Sequence, residues 1–168
     1  MALINNIGAG IFTTLKYVEE TTSITLPTDD TSHQAAIGTG GNFVSAVAVS
    51  KIRDFPSFGN TANIVNVPQY GQAVTAQISA QSDAPTLEFS LNYVPHEHNA
   101  INQLVDNGKT YIFQLDIKNT SSGDNAAFYV KGSFASLEVT PSLTDSNQAT
   151  LTLATSTDYT GPFANSNT

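Results

Sequence analysis

The sequence lacks cysteine and tryptophan altogether and contains only 6 lysine and arginine residues. The absence of cysteine excludes disulfide bonds, thiolate metal sites and cysteine nucleophiles, and it is compatible with assembly in a reducing cytoplasm. Because 14 acidic residues stand against the few basic ones, the net charge is −8 and the average surface repels phosphate backbones and anionic lipids. These shortages argue against a sequence-specific DNA-binding protein.

Charged residues of either sign are also few, at 12% of the chain, which is about half the usual share in globular proteins. Neutral polar residues take their place, with 21 Thr, 16 Ser, 15 Asn and 8 Gln. A chain rich in Thr and poor in Glu, Lys and Leu favours strands over helices. Its 168 residues are enough for one domain with its own core, and we expect that domain to span residues 1–163.

Long apolar runs are missing as well. No stretch of 18 consecutive apolar residues occurs, so we expect no membrane-spanning helix and no membrane partner. The first eight residues, MALINNIG, lack the basic start and unbroken apolar run of a signal peptide, so we expect a soluble protein that is not exported by that route. Residues 164–168 are expected to form a disordered tail.

Alternation of apolar and polar residues predicts most of the strands. The predicted strands span residues 73–80, 86–94, 110–118, 126–139 and 149–157. In the fourth of these, the apolar phase changes after Phe134, which predicts a β-bulge near Ala135 and Ser136.

One short helix is predicted over residues 99–107, between the second and third of these strands. Its apolar residues recur at helical spacing, His98 or Asn99 can cap its start, and Asn107-Gly108 can end it. The expected fold is therefore mainly β, with two packed, roughly orthogonal sheets in a sandwich or half-barrel, one flanking helix and long inter-strand loops.

The segment Phe43–Val49 is apolar or small on both faces, which a strand needs only where protein covers it on both sides. In a domain of this size, a second subunit can provide that cover. Two long stretches, residues 20–42 and 54–72, match no element, and loops of this length are usually functional or ordered by a partner. The candidate self-assembly residues are Phe43, Val44, Val47, Val49, Phe55 and Phe58.

The residue types that catalyse reactions or bind metals in other proteins form no catalytic set in this sequence. The triplet His96–His98 has metal binding as one interpretation, but its place after Pro95 and before the helix favours a helix start. The Gly38–Gly41 cluster lacks the Lys-Ser/Thr ending of a phosphate-binding loop, and no G-x-S-x-G motif is present. The acidic pairs Glu19-Glu20 and Asp29-Asp30 lie outside any calcium-loop pattern. We therefore expect no catalytic residue, no metal, no cofactor and no enzymatic activity.

The order of these elements resembles the tail tube, or major tail, proteins of long-tailed bacteriophages. The similar stretches are Pro85–Pro95, the helix end at Asp106–Gly108, Tyr111–Leu115, Phe128–Gly132, Phe134–Leu137 and Asp158–Gly161. Of these, Phe128–Leu137 is similar to an F-x-G-x-(V/F)-x-S pattern of that family. The resemblance covers roughly residues 43–163, more loosely before residue 85.

The resemblance implies a subunit that joins five copies of itself in a ring, with rings stacked into a hollow tube. Such a tube carries the tape-measure protein and then double-stranded DNA without binding either specifically, and it contacts tail-tip and head-completion proteins. The implied location is the virion tail, after assembly in the bacterial cytoplasm. Six copies at −8 each give a ring near −48, which repels DNA from the wall.

Two groups of residues receive roles on this basis. The implied inter-ring loop residues are Pro27, Asp29, Asp30, Gly38 and Gly41. The candidate residues for lining the lumen are Glu88, Ser90, Asn92 and Thr152.

Several other functions stay open at this stage. Tubes of contractile tails, tailocins and secretion systems share the implied architecture. A β-sandwich binding module or a capsid-decorating protein shares part of the strand pattern, although such modules usually display exposed aromatic rows or a calcium loop.

Overall fold

The computed structural model describes residues 3, 10, 12–71, 73–80, 84–118 and 125–164, without the side chain of Ala80. Within these residues it has ten strands and two helices. The strands are β1 (Thr14–Glu19), β2 (Val47–Ala48), β3 (Ile52–Asp54), β4 (Asn63–Val67), β5 (Ala76–Ala80), β6 (Thr86–Asn92), β7 (Tyr111–Lys118), β8 (Asn125–Thr140), β9 (Gln148–Thr155) and β10 (Thr160–Phe163). The helices are α1 (Asp30–Ile37) and α2 (Pro95–Leu104).

Eight strands form one antiparallel sheet in the order β2-β1-β7-β8-β9-β6-β3, with β10 paired to β8. This sheet curls into a half-barrel, while β4 and β5 form a separate two-stranded sheet. The expected mainly β fold with a half-barrel is thus confirmed, and it has a second helix in addition to the expected one.

Both edges of the large sheet come from one short run of chain. The Val49 amide donates to the carbonyl of Leu15 on β1 at 2.9 Å, and the amide of Asn92, the last residue of β6, donates to the carbonyl of Lys51 at 2.9 Å. Lys51 has a φ of 57°, in the left-handed region, at the point where the run leaves β1 and joins β6. Residues 47–54 therefore connect the two ends of the sheet and hold it in its curl.

Helix α2 fixes this connecting run. The Nε2 of His98 lies 3.1 Å from the Ser50 carbonyl, to which it donates. The Ser50 hydroxyl donates to Glu97, and this bond holds the pKa of the Glu97 carboxyl below its usual range. His98 is fully buried, so its ring is a structural link between α2 and the sheet.

The main core lies on one face of the large sheet. Phe134 stands at its centre, with ring centroids 5.0 Å from Tyr17, 5.1 Å from Tyr111 and 5.2 Å from Phe113, all near edge-to-face. Its other buried members are Leu15, Val49, Leu87, Phe89, Leu91, Ile101, Leu115, Val130, Ala149, Leu151, Leu153 and Tyr159. The alternation in β6 and β9 therefore directs their apolar residues to this core, as the sequence predicts.

The predicted bulge is confirmed. The register between β8 and β9 shifts between Phe134 and Ser136, so that Ala135 is the extra residue. Before the bulge, Phe134 is in the core, and after it Leu137 packs on the same core. The bulge therefore changes which residues of β8 lie on each face of the sheet.

A smaller apolar cluster lies on the second face of the sheet, over β7 and the first half of β8. It joins Ile112, Ala127 and Tyr129 of the sheet with Ala36 of α1, Phe43 and Phe163 of β10. Two hydrogen bonds hold α1 and its lead-in segment to the C-terminal strand: Gln34 Nε2 donates to the Ala164 carbonyl, and the Thr160 hydroxyl donates to the Pro27 carbonyl, both at 2.7 Å.

The predicted helix over residues 99–107 is shifted in the structure. It begins at Pro95, whose fixed φ suits the first turn, and ends at Leu104. Asp106 then adopts a left-handed φ of 55°, so the chain leaves the helix before reaching Asn107 and Gly108.

Three stretches were predicted wrongly. Residues 20–42 contain α1, whose Asp29 and Ser32 form a capping box. Residues 54–72 contain strand β4. Strand β5, which pairs with β4, is exposed rather than half-buried. The segment Phe43–Val49 is not one strand, because a turn occupies residues 42–45 and only Val47 and Ala48 pair with β1.

Of the predicted disordered tail, only Ala164 can be compared. Its carbonyl accepts the hydrogen bond from Gln34, and residues 165–168 lie outside the described residues.

Candidate functional site

The second face of the large sheet is divided into an apolar half and a polar half. The apolar half lies beneath α1 and β10. The polar half is formed by β6, β9 and the part of β8 after the bulge. Its side chains are exposed or half-exposed, and none belongs to either buried cluster.

Strand register sets the polar half in rows across three strands. Glu88 lies opposite Thr152, which lies opposite Ser136. The next row joins Ser90, Thr150 and Glu138, and the one after it joins Asn92, Gln148 and Thr140. Residues directly opposite each other on antiparallel strands share a face, so these nine side chains form one surface, named here the polar face.

The polar face carries negative charge only. Glu88 and Glu138 are exposed, and Asp54 of β3 lies opposite Ser90 at the edge of the same surface. No lysine or arginine occurs in β6, in β9 or in residues 136–140. The remaining side chains are neutral hydroxyls and amides, so the polar face offers neither an apolar patch nor a cation to a passing anion.

The structure brings the four lumen candidates together on this face. Glu88, Ser90 and Asn92 follow one another along β6, and Thr152 pairs with Glu88. The sequence interpretation missed the contribution of β8, namely Ser136, Glu138 and Thr140. The sequence contains a signal for these three residues, because the predicted bulge places them on the same face of the sheet as Thr152.

The six predicted self-assembly residues are divided between the interior and the surface. Phe43 and Val49 are buried in the two separate clusters, and Phe55 packs against Phe89 at 5.6 Å. Phe58 packs against Phe128 and Tyr159, at 5.2 and 5.5 Å. Val44 and Val47, at 63% and 52% exposure, are the two of the six whose side chains are largely exposed.

The five predicted inter-ring residues lie at the ends of α1. Asp29 is its N-cap and Asp30 its first residue, and the hydrogen bond from the Ser32 amide lowers the pKa of Asp29. Gly38 is the C-cap, and a Cβ on Gly41 would lie 2.3 Å from the Ala36 carbonyl oxygen, so these glycines shape the helix end. Pro27, before the helix, is buried.

An exposed hairpin is the main surface feature that the sequence interpretation missed. It comprises β4, β5 and the turn between them, and it carries five of the eleven exposed large hydrophobic residues of the described chain. They are Ile64, Val65, Tyr70, Val74 and Ile78. The signal for this surface is a charge-free run, since residues 55–82 contain no Asp, Glu, Lys or Arg.

A groove lies elsewhere on the subunit, between α2 and the edge formed by β1 and β2. Its volume is about 340 Å³, and its lining includes Tyr17, Val18, Val47, Ala100, Leu104 and Tyr111. The one charged lining residue is Glu19, whose carboxylate is paired with Lys109 at 2.9 Å. This surface, named here the α2 groove, is therefore largely apolar and close to electrically neutral.

Two of the three histidines, His33 and His98, are buried and have structural partners. His33 of α1 is fully buried, and its Nδ1 lies within hydrogen-bond distance, 2.8 Å, of the Tyr129 hydroxyl. Gln114 Nε2 donates to the same hydroxyl at 3.0 Å. Burial raises the pKa of Tyr129, so this hydroxyl stays protonated. His98 lies between Val94 and Ser50, as a helix-start residue rather than a metal ligand. Among the described residues, no group of three or more His, Cys, Asp or Glu side chains could hold a metal ion.

No helix in the described ranges is long and apolar enough to cross a lipid bilayer.

Comparison with known proteins finds a shared fold without a sequence relative. No protein-family model and no curated protein matches the chain. The chain is similar to a chain in the six-fold symmetrised cryo-EM structure of the anti-feeding prophage (AFP) baseplate, with a TM-score of 0.56 and 8% identity. The match covers 96% of this chain and 97% of that chain, so the two share one fold over nearly their whole length.

Proposed function

We propose that this protein is a structural subunit of a phage-tail-like particle, where it assembles with copies of itself into rings whose polar faces border a central channel. The observation that carries the proposal is the polar face itself. One continuous sheet has an apolar half covered by its own chain and a second half, built from three strands, that is uncovered, polar and acidic.

A channel wall that DNA must pass should attract neither phosphates nor bases. Glu88, Glu138 and Asp54 repel phosphates, and the hydroxyl and amide side chains between them provide no aromatic surface on which bases can stack. The net charge of −8 acts in the same direction for every copy in a ring. The polar face is therefore suited to passage rather than to capture.

The shared fold supports the ring. The similar chain belongs to a baseplate that was imaged with six-fold symmetry, and it matches this chain from end to end. We propose six copies for the ring here, as the sequence resemblance also implies.

The proposed location is the tail tube of a virion, assembled in the host cytoplasm from rings that stack. Its proposed partners are copies of itself, the tape-measure protein and double-stranded DNA in the channel, and the tail-tip and head-completion proteins at the two ends. No catalytic step is assigned to the subunit, because a tube needs to enclose its cargo and not to change it.

A second position in such a particle is the baseplate, which is favoured by the similar chain. Assembly of the purified protein distinguishes the two positions: we expect stacked rings from a tube subunit, and a single ring or no ring from a baseplate subunit. The tube of a contractile tail, a tailocin or a secretion system has the same stacking behaviour, and a neighbouring sheath gene separates those particles from a non-contractile tail.

A β-sandwich binding or decoration module is the alternative of a different class. Such a module needs a recognition surface, commonly a row of exposed aromatics. The exposed large aromatics of the described chain are Phe12 and Tyr70, and neither lies on the polar face.

Electron microscopy of the purified protein over a range of concentrations tests the proposal. We expect rings of uniform diameter, and stacks of rings at high concentration, with a mass by analytical ultracentrifugation of six subunits per ring. A protein that stays monomeric at every concentration would be inconsistent with self-assembly as its function.

A further inference from the structure

The β4–β5 hairpin is anchored at its base, and the rest of it is largely exposed in the part of the chain that the structure describes. Asn60 makes two hydrogen bonds with the backbone of Tyr159, at 2.7 and 3.0 Å, and Phe58 packs beside the same residue. Beyond this anchor, β4 and β5 contact each other, and neither is extensively packed on another strand or helix of the described chain. A two-stranded hairpin of this kind has little stability of its own in water.

Most of the apolar side chains in the two strands of the hairpin share one face. Val65 lies opposite Ile78, and Val67 lies opposite Ala76, while the other face carries Asn66 opposite Gln77 and the exposed Ile64 opposite Ser79. Val65 and Ile78 are 43% and 54% exposed, and Tyr70 in the turn is fully exposed. A hairpin with several exposed apolar side chains and an aromatic residue at its tip is typical of an element that is buried in an assembly.

Charge indicates which partner covers this hairpin. Two copies of the subunit, at −8 each, repel one another over most of their surfaces. The hairpin lies within the 28-residue run from Phe55 to Ser82 that contains no charged side chain. It can therefore approach another copy without adding to the electrostatic repulsion between them. A nucleic acid or an anionic membrane would need cations that the hairpin lacks.

The receiving surface on the second copy must be apolar and free of unpaired charge. The α2 groove meets both conditions, because Tyr17, Leu104 and Tyr111 line it and its only carboxylate is paired with Lys109. Val47, a residue that the sequence indicates for self-assembly, lies in the same groove and is half exposed.

We infer that the β4–β5 hairpin of one subunit docks in the α2 groove of a neighbouring copy, with Tyr70 entering the groove. This inference rests on the proposed self-assembly and specifies the contact that produces it. Hairpin and groove are different surfaces of one molecule, so the contact is head-to-tail, and such contacts give a ring when the rotation closes.

Because the chain has no cysteine, single cysteines provide a direct test in the otherwise unchanged protein. A Tyr70→Cys subunit is mixed with a subunit carrying Ser45→Cys, Ala100→Cys or Gln103→Cys in the groove, and a short bis-maleimide is added. The matched control is Asn102→Cys, which is exposed on the same helix two residues from Ala100 and does not line the groove. We expect cross-linked dimers from mixtures with at least one groove variant, and none from the Asn102 mixture or from Tyr70→Cys alone.

A second measurement uses assembly itself. Tyr70→Ala should raise the concentration needed for half-maximal assembly by about tenfold or more, since a central tyrosine commonly contributes more than 1.4 kcal/mol to an interface. Leu143→Ala, at an equally exposed residue in the β8–β9 turn, should leave that concentration unchanged. Both variants should unfold at the same denaturant concentration as the original protein, because neither side chain is packed in its own subunit.

The outcomes separate this inference from the proposed function. If the protein forms rings but the groove mixtures give no dimers and Tyr70→Ala assembles normally, the docking is wrong and the ring function stands. If equal cross-linking occurs with Asn102→Cys, the contact is unspecific and the docking is also wrong. A protein that forms no oligomer at any concentration overturns both.

Discussion

Glu88 on β6 lies directly opposite Thr152 on β9, and both residues lie on the polar face of the large sheet. The bulge in β8 brings Ser136 opposite the same threonine, and Glu138 and Thr140 follow Ser136 on this face. A continuous acidic and hydroxyl surface therefore depends on one extra residue, Ala135, in a strand whose first half serves an apolar core. The proposed channel wall and the core of the subunit are two consequences of the same register shift.

Charge reversal on the polar face should change transport and not folding. Glu88→Lys together with Glu138→Lys replaces exposed side chains, so we expect the free energy of unfolding to change by less than about 1 kcal/mol. In assembled particles the same change should cause salt-sensitive retention of short duplex DNA. Asp158→Lys with Asp145→Lys, at exposed residues in loops, is the matched control and should retain no DNA. Equal retention by the two double variants would contradict a channel role for this face.

Gly132 permits the close approach of β8 and β9 just before the bulge. A Cβ at this position would lie 2.3 Å from the Ala154 carbonyl oxygen and 3.0 Å from the Thr155 Cα. We expect Gly132→Ala to lower the free energy of unfolding by about 1–3 kcal/mol, because backbone atoms must move to admit the methyl group. Ser133→Ala, one residue along the strand, should cost less than half as much in the same denaturant titration. A neutral Gly132→Ala would show that the two strands are further apart than described.

The edge-to-face contacts of Phe134 should make it one of the most sensitive positions in the core. Phe134→Ala removes a ring that packs against Tyr17, Tyr111 and Phe113, so we expect a loss of about 3–5 kcal/mol in unfolding free energy. Val139→Ala in the same strand, at 43% exposure, should cost less than about 1 kcal/mol. Comparable losses for both variants would mean that the core does not centre on Phe134.

Tyr159 should contribute to unfolding in alkali. Burial raises the pKa of its hydroxyl from 10.0 to about 12, so the folded protein keeps a proton that the unfolded chain gives up. The stability associated with that difference is fully present below pH 10 and is lost as the pH rises toward 12. Burial acts in the same direction on Tyr17 and Tyr129.

Tyr159→Phe should therefore lose less stability between pH 9 and pH 12 than the original protein, as measured by denaturant titration at each pH. At neutral pH it should be as stable or slightly more stable, because the buried hydroxyl has no hydrogen-bond partner among the described residues. Tyr70→Phe, at a fully exposed tyrosine, is the control and should follow the original pH profile. Identical profiles for all three proteins would rule out a contribution from Tyr159.

Local patterns predict the parts of this fold that local contacts determine. The strands β6, β7, β8 and β9 alternate because one of their faces packs on the core, and the change of phase at Ala135 marks the bulge in the sequence itself. Strand β1 carries a similar signal in Leu15 and Tyr17, but it is short and was not identified. Once the positions of β6 and the bulge are known, taking every second residue along β6, β9 and the end of β8 gives most of the polar face.

The elements that were predicted wrongly depend on distant contacts. Helix α1 has only eight residues, too few for a helix that is stable alone, and it is held by His33 and Ala36 against the sheet. In Phe43–Val49, Phe43 and Val49 pack in two different clusters of the same chain, and periodicity cannot distinguish that arrangement from a strand between subunits. Strand β5 alternates like a half-buried strand, although β4 is the one element of the described chain that packs extensively against it.

A cryo-EM map of the assembled particle tests the central proposal most directly. We predict a ring of subunits in which β6, β9 and residues 136–140 of β8 border the channel, with Glu88 and Thr152 facing its axis. A ring in which this polar face is buried against a neighbour or turned to the outside would contradict the account.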